Sequence, residues 1–362
     1  MLESDLSTRN CIVISRMGRT TKTFPETSRR VQVRPRTAKS AKELTVAIIG
    51  AGRLGTALGL ALKLIGYQIE VVVAKGPASV SRASRAFGPK TLAISSRQLK
   101  SPSQSQIEFL NRSSLVLIAT PDDATATLAE QLSELFASNQ IRPAKGKRPR
   151  AVRRVVLHTS GALSSEVLEP MRSSGFAIGS LHPLVSISES RSGAELLTRG
   201  FFSIEGDPAA VRVGRSIVRN LGGESFTIDS SCKALYHAAA VTASPNMTAL
   251  FDIALDMLSV CGLSRKQAQR VLLPLLKSTV ANLERQDPTR ALTGTFKRGD
   301  VSTVRKHLAA LKTANLPQAL IAYVLLGQRS ISMAKKRGPN TAELDDIAGI
   351  LSRVLPIDSG QS

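Results

Sequence analysis

The segment that most constrains this chain is ELTVAIIGAGRLGTALGLALKLIGYQIEVVVAK, residues 43–75. A short apolar run rich in β-branched residues enters a glycine turn. Leu58, Leu62 and Ile65 then recur at helical spacing, Gly66 stops the helix, and a second β-branched run begins. That order is a βαβ unit. Between its first strand and its helix stand Gly50, Gly52 and Gly55 in the pattern G-x-G-x-x-G. Gly50 permits a tight turn, Gly52 lets backbone approach a pyrophosphate, and Gly55 lets helix and strand close together. The helix N-terminus, with Ala51, Arg53 and Leu54 around it, is aimed at negative charge. A glycine turn without a ligand is the competing reading, and the strand-turn-helix context weighs against it. Residues 50–55 are therefore read as binding a dinucleotide.

The end of the second strand decides which dinucleotide. A site for NAD places Asp or Glu there to hold the ribose 2′-hydroxyl. This chain has Ala74 and Lys75, with Ser79 and Arg82 just beyond, and Glu70 comes too early in the strand. A cation and a hydroxyl suit a 2′-phosphate, so NADP(H) is favoured over NAD(H), with Lys75 as a contact. A solvated basic loop is the alternative.

A further strand, SLVLIAT (114–120), runs into PDDATATLAEQLSELF, where Pro121 ends the strand and Asp122 or Asp123 can cap the next helix. Thr120 and Pro121 lie across the switch point, where ligands bind in open α/β sheets, and are read as cofactor contacts. RRVVLHTSG, FAIGSLHPLVSI and FFSIEGDPAAVRVGRSIVRNLGGESFTID continue the alternation of strand and helix. The expected fold is α/β, a doubly wound parallel Rossmann sheet followed by an all-helical C-terminal domain. From about residue 230 only helical patterns remain. Pro245 should kink one of them, Pro274 lies in another, and Asp300 and Asn340 are candidate caps. The expected organisation is a basic, disordered extension (1–43), a dinucleotide-binding domain (44–229), a helical substrate and dimerisation domain (230–330), and a C-terminal helix and tail (331–362).

A formal charge of +22 would suggest nucleic acid if it were spread over one folded face. Residues 1–43 and the basic insertion at 142–154 supply +13 of it, and with no Trp and 4% aromatics a base-stacking platform is poorly supplied. Nucleic acid is therefore not the expected partner. Cys11, Cys232 and Cys261 are odd in number and widely spaced, which argues for a reducing, cytoplasmic setting without disulfides or a zinc site. No apolar run reaches the roughly 18–20 residues of a membrane helix.

Two of the four histidines end adjacent strands, in HTSGAL and GSLHPL. Carbonyl or imine reduction needs a group that exchanges a proton near neutral pH, and His has the matching ordinary pKa. His182, on a loop before a rigidifying proline, is the catalytic candidate, and His158, at its strand end, the structural one. Ser160 could hold the substrate or orient a histidine. In the helical region Lys233 and His237 share a face at i and i+4, Ser244 and Asn246 flank Pro245, and Arg298 could clamp a carboxylate. Packed-bundle and capped-loop readings compete with each of these.

VAIIGAGRLGTAL, HTSGAL, GSLHPL, IEGDP, LYHAAAV, LLPLLKSTVANL and ALTGTFKRGD with HLAAL, in that order from residue 44 to about 325, resemble a family of Rossmann-like oxidoreductases with a C-terminal helical domain of unknown function. The resemblance implies kinship with the 6-phosphogluconate-dehydrogenase-like superfamily, which includes ketopantoate reductase, pyrroline-5-carboxylate reductase and prephenate dehydrogenase. It implies a homodimer with the nicotinamide between its domains. Ser160 and His182 are similar to the serine and histidine of prephenate dehydrogenases. The chain departs from the family at Pro245, where relatives have Asn, and at Thr295, where they have Pro. The expectation is an NADP(H)-dependent oxidoreductase of a small keto or imino acid, possible substrates including ketopantoate. His182, Ser160 and His237 are its catalytic group, Ser160 also borders the cofactor, Asn246 and Arg298 bind substrate, and no metal takes part. A catalytically silent NADP(H)-binding regulator is the alternative.

Overall fold

The computed structural model describes residues 44–138, 154–336 and 341–355. The extension at 1–43, residues 142–153 of the basic insertion and the candidate cap Asn340 lie outside them. The strands are β1 (Thr45–Ile49), β2 (Gln68–Ala74), β3 (Leu92–Ser95), β4 (Leu115–Ile118), β5 (Arg154–His158), β6 (Phe176–Pro183), β7 (Phe201–Gly206) and β8 (Glu224–Phe226). The helices between them are α1 (Arg53–Leu64), α2 (Pro77–Phe87), α3 (Ser96–Lys100), α4 (Gln104–Arg112), α5 (Asp122–Ser138), α6 (Pro170–Ser173), α7 (Ser190–Leu197) and α8 (Pro208–Asn220). Then come α9 (Lys233–Ala243), α10 (Pro245–Val260), α11 (Arg265–Arg285), α12 (Pro288–Ala291), α13 (Thr295–Arg298), α14 (Val301–Thr313), α15 (Pro317–Lys335) and α16 (Ala342–Val354).

Among the described residues eight strands form one sheet in the order β3-β2-β1-β4-β5-β6-β7-β8. The order reverses between β1 and β4, which makes their carboxyl ends the switch point. β1 shows why the sheet is buried on both faces: Val46 and Ile48 enter one apolar cluster, Ala47 and Ile49 the other. Leu58 and Leu62 of α1 are buried in the first cluster and contribute about 2 kcal/mol each.

The sheet is not wholly parallel. β7 runs antiparallel to β6, with Pro183 opposite Phe202 and His182 opposite Ser203. The Leu184 N–H donates to the Phe201 carbonyl at 2.8 Å, so β7 starts beside the end of β6. The intervening α7 does not return the chain to the amino edge, as a parallel crossover must. The turn has a consequence for the site: the start of β7 lies beside the carboxyl end of β6.

The chain divides into two compact units between Ala240 and Val241, later than the change of pattern near 230 suggests, because the first turns of α9 belong with the sheet. In the second unit α14, α15 and α16 enclose a core of Val304, Leu308, Val324, Ile331, Leu344, Ile347, Ile350 and Leu351. Pro245 breaks a helix rather than kinking it. α9 ends at Ala243, and Pro245 takes the first position of α10, where its missing N–H costs nothing. Thr341 caps α16 by accepting from the Leu344 N–H.

Candidate active site

Gly50 has φ +108°, and a Cβ there would lie 2.6 Å from the Ala119 carbonyl oxygen. At Gly55 a Cβ would lie 2.0 Å from the Gly50 oxygen. Packing of β1, β4 and α1 therefore requires both glycines. Gly52 is different, because a Cβ there meets nothing within 4 Å. It precedes the first residue of α1, no side chain caps that helix, and its first turn holds no acid. The N–H groups of Arg53, Leu54 and Gly55 thus lack helical partners. Thr120, on the adjoining loop, has a buried hydroxyl without a hydrogen-bond partner. Gly52, Arg53, Leu54, Gly55 and Thr120 together fit a dinucleotide phosphate, with backbone donors, no competing anion and room at Gly52, while the Gly50 and Ala51 N–H groups are taken, both donating to the Val73 carbonyl at 2.9 Å. Pro121 is exposed beside them. Lys75 is exposed just past β2, as is Arg82 in α2. The Ser79 hydroxyl is engaged locally, accepting from the Gly76 N–H at 3.0 Å and donating to the Gly76 carbonyl at 2.8 Å.

β4, β5 and β6 run parallel to β1, so their carboxyl ends share its edge. His158, the last residue of β5, is fully buried and its Nδ1 accepts from the Ser160 N–H at 3.2 Å. Burial, and next the Lys233 charge, push its pKa down to about 3. Ser160 donates its hydroxyl proton to Asp122 Oδ2 at 2.9 Å and accepts from the N–H groups of Ala162 and Leu163 at 3.1 and 3.0 Å. One proton and two lone pairs are then fully used. Ser160 shapes the loop and ties it to the start of α5, and in this arrangement it has no bond left for a substrate.

His182, on β6, has its Nδ1 2.7 Å from the Tyr236 hydroxyl. Its ring stands edge-on to those of Tyr236 and His237, each centroid 5.5 Å away. Gly161 is the floor beneath the two imidazoles, since a Cβ there would lie 2.3 Å from His237 Nδ1 and 2.8 Å from His182 Nε2. His237 Nδ1 is buried without a partner. Burial first, then the nearby His237 and Lys233, push the His182 pKa down to about 4. The expectation of a histidine titrating near neutrality is thereby corrected, because the surroundings disfavour the imidazolium. Burial likewise raises Tyr236 to about 12. At neutral pH the pair is an uncharged imidazole bonded to an uncharged phenol.

Lys233, the first residue of α9, is 1% exposed. Its ammonium donates to Ser180 Oγ at 2.6 Å and to the Ser160 carbonyl at 3.2 Å, and stands 3.8 Å from Glu205 Oε1. Glu205 is held in turn by the N–H and hydroxyl of Ser165, at 2.8 and 2.7 Å. Desolvation lowers the Lys233 pKa against the pull of Glu205 and Asp122. One buried cation thus joins the loop after β5, the strands β6 and β7, and the first turn of α9. Tyr236 and His237, three and four residues on, share the face of Lys233.

Of the residues singled out from the sequence, His182 and His237 stand side by side and Lys233 shares the helix of His237, while Tyr236, Gly161, Ser180 and Glu205 were not singled out. The i, i+3, i+4 spacing of Lys233, Tyr236 and His237 was the available signal. Asn246, exposed in the first turn of α10, and Arg298, exposed at the end of α13, belong to the second unit. Among the described residues no three His, Cys, Asp or Glu side chains gather to hold a metal, and no helix is long and apolar enough to cross a membrane.

Residues 31–183 match a Rossmann-like domain, and residues 200–330 match a domain of unknown function, DUF2520. The chain is a Rossmann-like protein with a DUF2520 domain. No curated protein matches its sequence. Among solved structures it is similar to a Bacteroides fragilis protein proposed to be an NADP oxidoreductase, at 22% identity and TM-score 0.61, covering 80% of this chain and 99% of that one. A Thermotoga maritima protein gives 22% identity and TM-score 0.57 over 80% and 98% of the two chains. A reductive aminase from Aspergillus terreus, solved with NADPH and ethyl levulinate, gives 14% identity and TM-score 0.54 over 84% and 98%. At these identities the likeness is one of fold.

Proposed function

We propose that the protein is an NADP(H)-dependent oxidoreductase that reduces a small keto or imino acid. The observation that carries the reading is the shared edge: the uncapped glycine turn after β1 and the His182–Tyr236 pair at the end of β6 lie at the carboxyl ends of parallel strands in one sheet. That edge is where cofactor and substrate meet in such sheets. The names of the structural neighbours, an NADP oxidoreductase and an NADPH-bound reductive aminase, agree with it.

The open backbone donors of residues 53–55 hold the pyrophosphate, Thr120 lies beside it, and Lys75 with Arg82 meets the 2′-phosphate. A bound reduced nicotinamide supplies hydride. Tyr236, donating to His182 Nδ1, leaves the imidazole proton on Nε2, where it can be given to the reacting atom. As Nε2 loses its proton, Nδ1 takes that of Tyr236, so no imidazolate forms, and the Tyr236 phenolate that remains regains a proton from solvent. Ser160, joined to Asp122, holds the loop that carries Gly161, and Gly161 keeps both imidazoles close. Asn246 and Arg298 are proposed to contact the substrate carboxylate.

The protein is proposed to be a cytoplasmic homodimer. α10 and α11 bury little of their apolar surface in the chain, with Val260, Val271 and Leu275 well over half exposed, and a second copy would cover that face. The decisive experiment measures NADPH binding and NADPH oxidation against a panel of keto acids and imines. His182→Ala should abolish turnover and spare binding. Full activity in that variant would overturn the role of His182, and tight NADPH binding with no turnover across the panel would favour a sensing protein.

A further inference from the structure

The register of β6, β7 and β8 sets Ser203 of β7 opposite His182 of β6 and beside Phe226 of β8. Paired residues on neighbouring strands, about 4.8 Å apart, point to the same face of a sheet. The three side chains therefore form one row with Ser203 in the middle. Tyr236 spans that row from α9, its ring edge-on to His182 at 5.5 Å and to Phe226 at 6.0 Å, centroid to centroid. Ser203 lies under it. One helical turn earlier, Lys233 meets the preceding row in the same way, bonding Ser180 of β6 and facing Glu205 of β7, which are also paired. Ser203 is fully buried, and its Oγ has no hydrogen-bond partner. The other buried serines of this region are not left so: Ser180 accepts from Lys233, and Ser165 donates to Glu205. An unbonded hydroxyl is costly inside a protein, and this one sits beneath the phenol that must give up a proton.

Resting on the oxidoreductase reading, we propose that Ser203 is a positioning residue that acts through Tyr236: its hydroxyl is held in reserve in the resting site and donates to the Tyr236 oxygen as the phenol loses its proton. Hydride bonds to the carbonyl or imine carbon of the substrate, whose π pair takes the proton of His182 Nε2. The imidazole replaces that proton at Nδ1 with the one from Tyr236, and the O–H electron pair stays on the phenol oxygen as negative charge. Burial disfavours this charge, pushing the phenol up to about 12, and the Ser203 hydroxyl works against the rise. Turning the Ser203 O–H toward the phenolate supplies a hydrogen bond that the resting site lacks. A bond absent before the reaction and present during it lowers the barrier without tightening substrate binding. Solvent then returns a proton to Tyr236, and the dinucleotide is left oxidised.

The test measures NADPH oxidation with the best substrate of a panel of keto acids and imines, in the full-length wild type, Tyr236→Phe, Ser203→Ala and Ser203→Thr. Each is also produced with 3-fluorotyrosine, whose phenol is more acidic, and Tyr236→Phe reports what fluorination of the other tyrosines does. Ser203→Ala removes an unbonded buried hydroxyl, so its melting temperature should be no lower than that of the wild type. It should keep NADPH affinity and KM and lose roughly tenfold or more in kcat. Ser203→Thr, which keeps the hydroxyl, should recover most of that loss. Fluorotyrosine should raise kcat more in Ser203→Ala than in the wild type, because a phenolate that forms more readily needs less help. Wild-type kcat in a folded Ser203→Ala, or a loss that fluorotyrosine leaves untouched, overturns the role of Ser203 and leaves the oxidoreductase reading intact. Wild-type kcat in Tyr236→Phe overturns the proton path through the phenol, and Ser203 with it. NADPH binding with no turnover across the panel overturns the oxidoreductase reading and the proposal together. If Ser203→Ala does not fold, Ser203→Cys, close in size and a weaker donor, takes its place with the same outcomes.

Discussion

Gly161→Ala tests the geometry of the candidate site at a single methyl group. The added Cβ would lie 2.3 Å from His237 Nδ1 and 2.8 Å from His182 Nε2, whereas ordinary contact begins at 3.4 Å. The His237 ring must therefore withdraw by about 1 Å, and His182 by about half of that, if the loop keeps its place. The loop itself is pinned, since Ser160 bonds Asp122 on one side and the N–H groups of Ala162 and Leu163 on the other. Overpacking of this kind costs about 1–3 kcal/mol of stability, which a domain can survive. The kinetic effect should be larger, because a misplacement of about 1 Å in a reacting group can cost about 100-fold in rate. The expected outcome is a folded protein with a melting temperature lowered by a few degrees, unchanged NADPH affinity and kcat reduced about 100-fold. Stopped-flow NADPH oxidation with the best substrate of the panel, beside cofactor titration and thermal melts, reads all three. Wild-type kcat in a folded Gly161→Ala would refute the argument that the two imidazoles act at the positions they hold above Gly161.

Three further outcomes follow from the same geometry. Gly52→Ala adds a Cβ in space the chain leaves open, so thermal stability should not change while NADPH affinity falls roughly tenfold; equal affinity in a cofactor titration would remove the pyrophosphate from that turn. Lys75→Glu should weaken NADPH by about tenfold and NADH hardly at all, and an equal loss for both would place the 2′-phosphate elsewhere. His158 and His182 titrate at about 3 and about 4 in the folded chain, below the ordinary value of about 6.5 expected when unfolded. The unfolded chain therefore binds the extra protons between those limits, and stability present above about pH 6.5 is lost as pH falls toward 4, by about 2 kcal/mol per histidine at pH 5. Urea melts against pH should show His182→Gln losing part of that slope, and an unchanged slope would mean that His182 is not held neutral.

The amino-acid sequence by itself determined the βαβ unit, the glycine turn, the succession of strand and helix through residue 226 and the change to helices after it. These rest on local periodicity, on φ preferences and on the short reach of glycine and proline, all of which a linear pattern carries. Lys75 at the end of β2 could be placed for the same reason, because strand ends are marked by their neighbours. The reversal of β7 could not be read this way, since a strand carries no local mark of the direction in which it pairs. Ser160 shows the limit from the other side: its chemistry suggests a substrate contact, but the hydroxyl is used up by Asp122, Ala162 and Leu163, of which Asp122 lies far away in the chain. Only tertiary structure brought Tyr236 to His182 and buried Lys233 between β6 and β7, and only burial holds the His182 imidazole uncharged at neutral pH. Residue type fixes which protons exist. Desolvation and neighbouring charge, which depend on the whole fold, decide whether they move.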